Sequence, residues 1–247
     1  MTYRRHKLYC FPYAGGSAAI FNGWRKLLDK NLDLQAVELA GRGKRIFDPL
    51  YESIQDAVED VFKMIKAELL AGPFGFFGHS MGCIIAFELA HKLRKMGGPQ
   101  PSFVFFSGRG APQVVRPDEK EKYYLLPDDE FRNRVLELGG TPKEFFEHEE
   151  LMAVFLPMLK RDFQISETYE SSRQVDPFNY PIHVMIGKDE DISAEQMHGW
   201  KDHSSQGCTI HYLAGGHFFI NEQPESVVEI INNTVKPHRH EPKPVHF

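Results

Sequence analysis

A serine stands at the centre of a G-x-S-x-G motif, residues 78–82, between two apolar runs at 73–77 and 83–87. This placement predicts a sharp turn from a buried strand into a buried helix, with the hydroxyl of Ser80 raised out of the sheet. Glycines suit both ends of the motif because a Cβ there would collide with the neighbouring strand and helix. Ser80 is therefore the candidate nucleophile.

A serine hydroxyl needs a base to accept its proton, and histidine is the usual choice because its pKa lies near working pH. The chain has 12 histidines, so position must select among them. His217 follows a predicted strand at 209–213, and from a loop after a late strand it can reach back to Ser80. Packing or structural roles are expected for three others: His79, His183 and His211.

The third member of such a site is a carboxylate that orients the histidine and stabilises its cation. After a predicted strand at 182–186, the chain offers Asp189 and Asp191. Asp189 is preferred because it leaves the strand sooner and because Ile192 can seat the loop, and Asp191 is the runner-up. The resulting order Ser…Asp…His is that of the α/β-hydrolases.

Acyl transfer also needs donors for the oxyanion of the tetrahedral intermediate. One is the backbone N–H of Met81, the residue after the nucleophile, and the other is expected from a loop after an early strand. The glycine-containing segment 11–16 lies there, with Ala14 as the first candidate and Tyr13 as the second. A phosphate cradle is disfavoured, because neither G-x-G-x-x-G nor the P-loop pattern occurs.

These residues need a scaffold, and short apolar runs alternate with helical patterns along the chain. The fold predicted from this alternation is α/β, with a mostly parallel sheet covered by helices on both faces. Ser53 is the expected N-cap of one helix, with Asp56 three residues later. The predicted strands are 7–11, 34–39, 74–77, 102–107, 182–186 and 209–213, and the predicted helices are 18–29, 53–70, 81–95 and 224–235.

A charged helical segment from about 116 to 173 interrupts this rhythm within a single domain spanning 1–247. Its candidate helices are 125–138, 142–149 and 150–168, and we interpret it as a lid over the carboxyl edge of the sheet, where α/β enzymes bind ligands. The alternative is a helical excursion with no gating role. The last residues, 236–247, are expected to form a frayed tail, in which His238 and His240 are solvated rather than metal ligands.

Composition limits the possible partners and the compartment. The net charge is -5, so no basic surplus points to nucleic acid or to an anionic membrane. Cys10, Cys83 and Cys208 show no C-x-x-C spacing and are expected to be reduced, with Cys10 and Cys83 in the core. No signal-peptide pattern or run of spanning length occurs, so the expected compartment is the cytoplasm. A monomer is also expected.

Four motifs together resemble the type II thioesterases that accompany nonribosomal peptide and polyketide synthases, whose relatives release fatty acids from fatty-acid synthase. They are residues 11–17 (FPYAGGS), 40–43 (AGRG), 78–82 (GHSMG) and 215–219 (GGHFF). Ala40 departs from the proline of the family. The family's aspartate usually follows the strand-end glycine by three residues, whereas Asp189 and Asp191 follow Gly187 by two and four. Counted back from Trp200, Asp189 has the usual separation.

The resemblance implies an α/β-hydrolase fold and a substrate that is an acyl thioester on the 4′-phosphopantetheine arm of a carrier protein. The implied role is proofreading, the removal of stalled or mis-primed acyl groups, without a metal or organic cofactor. The carrier would be a transient partner, and its acidic face could meet four cations: Arg42, Lys44, Arg45 and Arg109.

Two other enzymatic interpretations share this triad: a small-molecule serine esterase or lipase, and a fatty-acyl carrier-protein thioesterase. The Ala-Gly-Gly and Gly-Arg-Gly motifs favour the thioesterase over the esterase. A scaffold used only for binding is disfavoured because Ser80, His217 and an aspartate are all present.

Overall fold

The computed structural model describes residues 5–114, 122–140, 148–171 and 174–235. In this part of the chain six parallel strands form one sheet, in the order β2-β1-β3-β4-β5-β6. The strands are β1 (His6–Phe11), β2 (Leu32–Ala36), β3 (Phe74–His79), β4 (Val104–Ser107), β5 (Ile182–Gly187) and β6 (Cys208–Leu213). The predicted parallel α/β architecture is confirmed.

The helices of the described residues cover both faces of the sheet. They are α1 (Ile54–Leu69), α2 (Met81–Lys95), α3 (Asp128–Leu138), α4 (Glu149–Glu167), α5 (Ala194–His198), α6 (Phe219–Glu222) and α7 (Pro224–Val235). Short 3₁₀ helices cover Ala18–Lys26, Gly43–Arg45, Tyr123–Leu125 and Gly199–His203.

Most predicted elements agree with these bounds to within two or three residues. The predicted N-cap is confirmed, since Ser53 Oγ accepts the N–H of Asp56 at 3.1 Å. The helix predicted at 18–29 is instead a 3₁₀ helix, Ala18–Lys26. The predicted helix at 142–149 falls mostly outside the described residues, as does the predicted tail at 236–247.

The sheet is buried on both faces because its central strands are almost wholly apolar. Every residue of β3 and of β4 is buried, as is typical of parallel strands covered by helices on both sides. Two large apolar clusters result, one on each face. No helix of the described residues is both long and apolar enough to cross a bilayer.

The strand order changes direction beside β1, where the site residues are expected. The chain steps from β1 to β2 on one side and then returns to β3 on the other side of β1. Loops that leave neighbouring strands in opposite directions open a ligand crevice at the carboxyl edge of such a sheet. The register pairs Phe11 of β1 with Gly78 of β3, so the loop after β1 lies beside the serine motif.

Candidate active site

Ser80 lies on a strained turn between β3 and α2. Its backbone has φ 54° and ψ -112°, and it is the only non-glycine residue with positive φ in the described ranges. A Cβ at Gly78 would lie 2.1 Å from the Gly82 carbonyl oxygen, and one at Gly82 would lie 2.1 Å from the Phe11 carbonyl oxygen. This close packing holds the serine in a conformation that costs about 1–3 kcal/mol elsewhere.

His217 is held at the site by a carboxylate. Its Nδ1 lies 2.6 Å from Oε1 of Glu190. The Glu190 side chain is only 4% exposed, whereas that of His217 is 28% exposed. Because the buried carboxylate contacts Nδ1, the other ring nitrogen of His217 is left to face a reacting group.

The carboxylate that lies against Nδ1 of His217 is therefore that of Glu190 rather than that of the predicted Asp189 or Asp191, which are both exposed. The loop after β5 explains the difference. Oε2 of Glu190 accepts the N–H of Gly187 at 2.6 Å, which folds the side chain back under the loop. This arrangement turns Glu190 toward His217.

A signal in the sequence identifies Glu190. It stands three residues after Gly187, where the related family usually has its aspartate. Glutamate serves as the acid in some α/β-hydrolases, so spacing with either carboxylate allowed selects Glu190. The prediction of Asp189 depends instead on an aspartate as the acid and on its separation from Trp200.

His79 packs against the site residue His217. It is fully buried, its Nδ1 lies 2.8 Å from Ser107 Oγ, and its ring centroid is 4.9 Å from that of His217. Burial, and then repulsion from His217, hold the pKa of His79 well below its usual 6.5. The predicted packing and hydrogen-bonding role of His79 agrees with this environment.

The loop after β1 forms a tight turn beside the serine elbow, the strained turn at residues 78–82 that carries Ser80. Gly16 N–H donates to the Tyr13 carbonyl at 2.9 Å, and Gly15 has φ +78°, the geometry of a type II turn. Gly15 N–H donates to Asp162 Oδ2 at 2.8 Å. Since the Gly15 and Gly16 amides are used internally, Ala14 and Tyr13 stay the candidate donors from this loop.

The other candidate donor lies at the start of α2. Met81 is the first residue of this helix, and the first N–H groups of a helix have no intrahelical acceptor. The carbonyl of Phe11 is so close to α2 that no Cβ fits at Gly82. The amide of Met81 and the loop after β1 therefore lie on neighbouring, tightly packed segments.

Helix α4 covers the loop after β1, and a buried ion pair joins this helix to the loop after β2. Arg42 Nη1 and Nη2 donate to the two carboxylate oxygens of Asp162 at 2.8 and 2.9 Å, and the two side chains are 4% and 3% exposed. Arg42 Nη1 also donates to the Gly16 carbonyl at 3.0 Å. The expectation that Arg42 meets a carrier is therefore wrong, because its charge is buried and paired.

The other three predicted cations differ in accessibility. Arg45 pairs with Asp60 at 2.7 Å, and partly buried Arg109 donates to Ser166 Oγ at 3.1 Å. Lys44 is exposed, so it is the member of the set with the most open access to a partner.

The cysteines are not competing nucleophiles. All three are free thiols, as predicted. Burial raises the pKa of Cys83 to about 12 and that of Cys208 to about 11, and it raises the pKa of Cys10 as well. These thiols are therefore neutral at physiological pH, whereas the nucleophilic form of a cysteine is its thiolate.

A parallel sheet that carries a serine elbow after a central strand, with a carboxylate-bound histidine after its last strand, defines the α/β-hydrolases. The site and topology here have these features. The family model described as "Thioesterase domain" matches residues 6–235, and the chain belongs to this family of thioester hydrolases.

Individual relatives cover nearly the whole chain. "Linear gramicidin dehydrogenase LgrE" of Brevibacillus parabrevis is 38% identical over 233 residues, 93% of this chain and 87% of the relative. The crystal structure of ClbQ from the colibactin NRPS/PKS pathway is 34% identical, with a TM-score of 0.87 over 94% of this chain and 97% of that one. YbtT, a type II thioesterase from the yersiniabactin NRPS/PKS pathway, is 28% identical, with a TM-score of 0.80 and 94% of each chain covered.

Proposed function

We propose that this enzyme hydrolyses acyl thioesters on the 4′-phosphopantetheine arm of carrier proteins in nonribosomal peptide or polyketide synthesis. Its role would be to remove stalled or mis-primed acyl groups. The observation that carries the proposal is the strained turn at Ser80, next to His79, whose ring centroid lies 4.9 Å from that of the carboxylate-bound His217, in a chain of the thioesterase family. ClbQ and YbtT, which belong to NRPS/PKS pathways, support the choice of a carrier as partner.

Acylation begins when the free ring nitrogen of His217 accepts the proton of Ser80 Oγ, which attacks the thioester carbonyl carbon. The oxyanion that forms is stabilised by the backbone N–H groups of Met81 and Ala14. Glu190 keeps the proton of His217 on Nδ1 and stabilises the imidazolium, as the acid of a triad does. Collapse of the intermediate breaks the C–S bond, and His217 returns its proton to the pantetheine sulfur.

Deacylation repeats these steps with water. His217 removes a proton from a water molecule, whose oxygen attacks the acyl-serine carbonyl. The same two amides hold the second oxyanion, and the Ser80 oxygen leaves with the proton from His217. The products are a free carboxylic acid and an unloaded carrier, ready for another cycle of synthesis.

The name of LgrE includes the word dehydrogenase, which would imply hydride transfer. Nicotinamide enzymes of α/β type usually carry G-x-G-x-x-G after the first strand. Here the corresponding segment is Pro-Tyr-Ala-Gly-Gly, and it forms a tight turn next to the serine elbow. We therefore assign hydrolysis to this chain.

A competition between carrier-bound and simple substrates tests the proposal. The same acyl group is presented as acyl-carrier protein, as a free acyl-pantetheine thioester and as a p-nitrophenyl ester. We expect the highest kcat/KM for the carrier, because binding energy from the protein partner adds to that of the acyl group. A marked preference for the ester would instead indicate a small-molecule esterase or lipase.

Matched serine variants make the result specific. Ser80→Ala should lower hydrolysis of the carrier thioester by at least about 10³-fold, as loss of a nucleophile does. Ser102→Ala, in the loop before β4 at the opposite end of the sheet, should retain activity. Unchanged hydrolysis by Ser80→Ala would refute the assignment.

A panel of carrier proteins loaded with acyl groups from acetyl to long-chain separates proofreading from fatty-acyl release, since only proofreading requires the removal of acetyl groups.

We also propose that the helical segment from about 116 to 173 is a lid. Its described part has a small apolar core of its own, formed by Leu126, Phe131, Val135 and Leu159. Leu159 also reaches the turn after β1, so closely that a Cβ on Gly15 would lie 2.5 Å from its Cδ1. Helix α3 and the first turns of α4 can therefore move over the site, whereas the end of α4 is anchored, since Ile165 packs in the main core and Asp162 pairs with Arg42.

Hydrogen exchange tests the lid. Amides of α3 and of the first turns of α4 should exchange faster than those of α1, because local opening draws on the least stable elements of a fold. Uniformly slow exchange across these helices would contradict the proposal.

We further propose that the protein is a cytoplasmic monomer. Light scattering that gave the mass of a dimer would refute the monomer.

A further inference from the structure

We propose that Arg42 and Asp162 form a clamp that positions the loop after β1, which carries the proposed oxyanion donor Ala14, so that both are positioning residues rather than surface charges. The inference rests on the proposed function, because it concerns the donors of the same site. The name clamp refers here to the Arg42–Asp162 ion pair with its bonds to Gly15 and Gly16.

The clamp grips the turn after β1 through two successive residues. Asp162 accepts the N–H of Gly15 at 2.8 Å, and Arg42 donates to the carbonyl of Gly16 at 3.0 Å. The pair is itself bidentate, with bonds of 2.8 and 2.9 Å. A bidentate guanidinium–carboxylate pair fixes orientation as well as distance.

Three segments that are distant in sequence meet at this pair. Arg42 comes from the loop after β2, where its Nε also donates to the Ala40 carbonyl at 3.2 Å. Asp162 comes from α4, 120 residues later. The turn they hold follows β1 and carries Ala14, the proposed donor. The position of that donor therefore depends on a contact between the loop after β2 and helix α4 of the lid.

Burial argues for a role beyond stability. Both side chains are at most 4% exposed, and removing two charges from water is expensive. Replacing such a pair by apolar residues of similar size often leaves a protein equally or more stable. Stability alone therefore does not require Arg42 and Asp162, whereas the hold on Gly15 and Gly16 does require polar groups.

The experiment compares two kinds of change at the clamp. The double variant Arg42→Met with Asp162→Leu removes both charges together and is expected to fold, as judged by its urea midpoint. We expect kcat to fall by about 10²-fold with KM for the acyl carrier nearly unchanged, since a misplacement of about 1 Å costs about that much in rate. Asp162→Asn keeps an acceptor for Gly15 N–H and should retain about ten times more activity than Asp162→Ala.

Two further measurements separate positioning from folding. Lys160→Met, two residues away on α4, removes the ion pair with Asp128 without touching the turn, and it should leave kcat within about twofold of wild type. A boronic acid that forms a tetrahedral adduct on Ser80 should bind the double variant more weakly, by about the factor lost in kcat.

The outcomes are distinct. A folded double variant with wild-type kcat and wild-type boronate affinity would overturn the clamp. An equal loss of kcat in Lys160→Met would also overturn it, because any loosening of α4 would then suffice. If wild type binds the boronate but does not hydrolyse acyl carriers, the proposed substrate fails, and the boronate affinities of the variants still decide the clamp.

Discussion

Replacing Glu190 by glutamine tests which acid orients His217. Glutamine has nearly the same shape as glutamate, and its oxygen can still accept the N–H of Gly187, now 2.6 Å from Oε2. Its amide nitrogen would then face Nδ1 of His217, now 2.6 Å from Oε1. An amide N–H donates, so the ring must accept at Nδ1 and carry its proton on the nitrogen that should deprotonate Ser80.

The expected effect is large because the wrong tautomer cannot act as a base. Loss of the acid in this way costs about 10⁴-fold in kcat, equivalent to about 5 kcal/mol of transition-state stabilisation. Glu190→Asp keeps the charge but shortens the reach by one methylene. We expect an intermediate loss of about 10²-fold, as for a misplacement of about 1 Å.

The assay is steady-state hydrolysis of an acyl-carrier thioester, with circular dichroism to check folding. Asp189→Asn and Asp191→Asn are the matched controls, because both residues are exposed carboxylates on the same loop. Each should retain at least about half of the wild-type kcat, as is usual for surface changes away from a site. A large loss in Asp189→Asn with a small one in Glu190→Gln would refute the assignment of Glu190.

Three other predictions concern the scaffold. Gly82→Ala should destabilise the protein by about 3 kcal/mol or more in urea unfolding, because its Cβ would lie 2.1 Å from the Phe11 carbonyl oxygen. Gly23→Ala is the control and should be neutral in the same assay, because nothing lies within 4 Å of its Cβ. Ser53→Ala removes an N-cap and should cost about 1 kcal/mol in the same assay; no change would contradict the capping bond. Burial lowers the pKa of His203 to about 4. Between about pH 6.5 and pH 4, His203 is therefore protonated in the unfolded state but not in the folded state, and the protein becomes less stable as the pH is lowered. His203→Gln should make the loss of stability between about pH 7 and pH 5 smaller by about 2 kcal/mol, and an unchanged pH dependence in urea unfolding would contradict this.

The fold was largely predictable because its signals are local. Apolar runs of strand length alternate with helical periodicity, and the glycines of the serine motif mark the elbow. Helices 81–95 and 224–235 match α2 and α7 to the residue. The segment Ala18–Lys26 is a 3₁₀ helix, whereas its sequence predicts an α-helix. Over so short a segment, apolar periodicity does not distinguish the 3.0 residues per turn of a 3₁₀ helix from the 3.6 of an α-helix.

The class of chemistry can be predicted from local sequence, because Ser80 and His217 lie in motifs whose glycines and neighbouring strands specify a turn and a loop. The choice among the three consecutive acidic residues is less clear from the sequence, because the spacing from Gly187 favours Glu190 whereas the separation from Trp200 favours Asp189. The folded loop after β5 resolves it, since this loop buries the Glu190 side chain and exposes the two aspartates. Tertiary structure also decided the environment of Arg42. No local sequence pattern distinguishes an exposed arginine from a buried, paired one. The partner of Arg42 is Asp162, 120 residues away, and a buried ion pair forms only when folding removes both charges from water together.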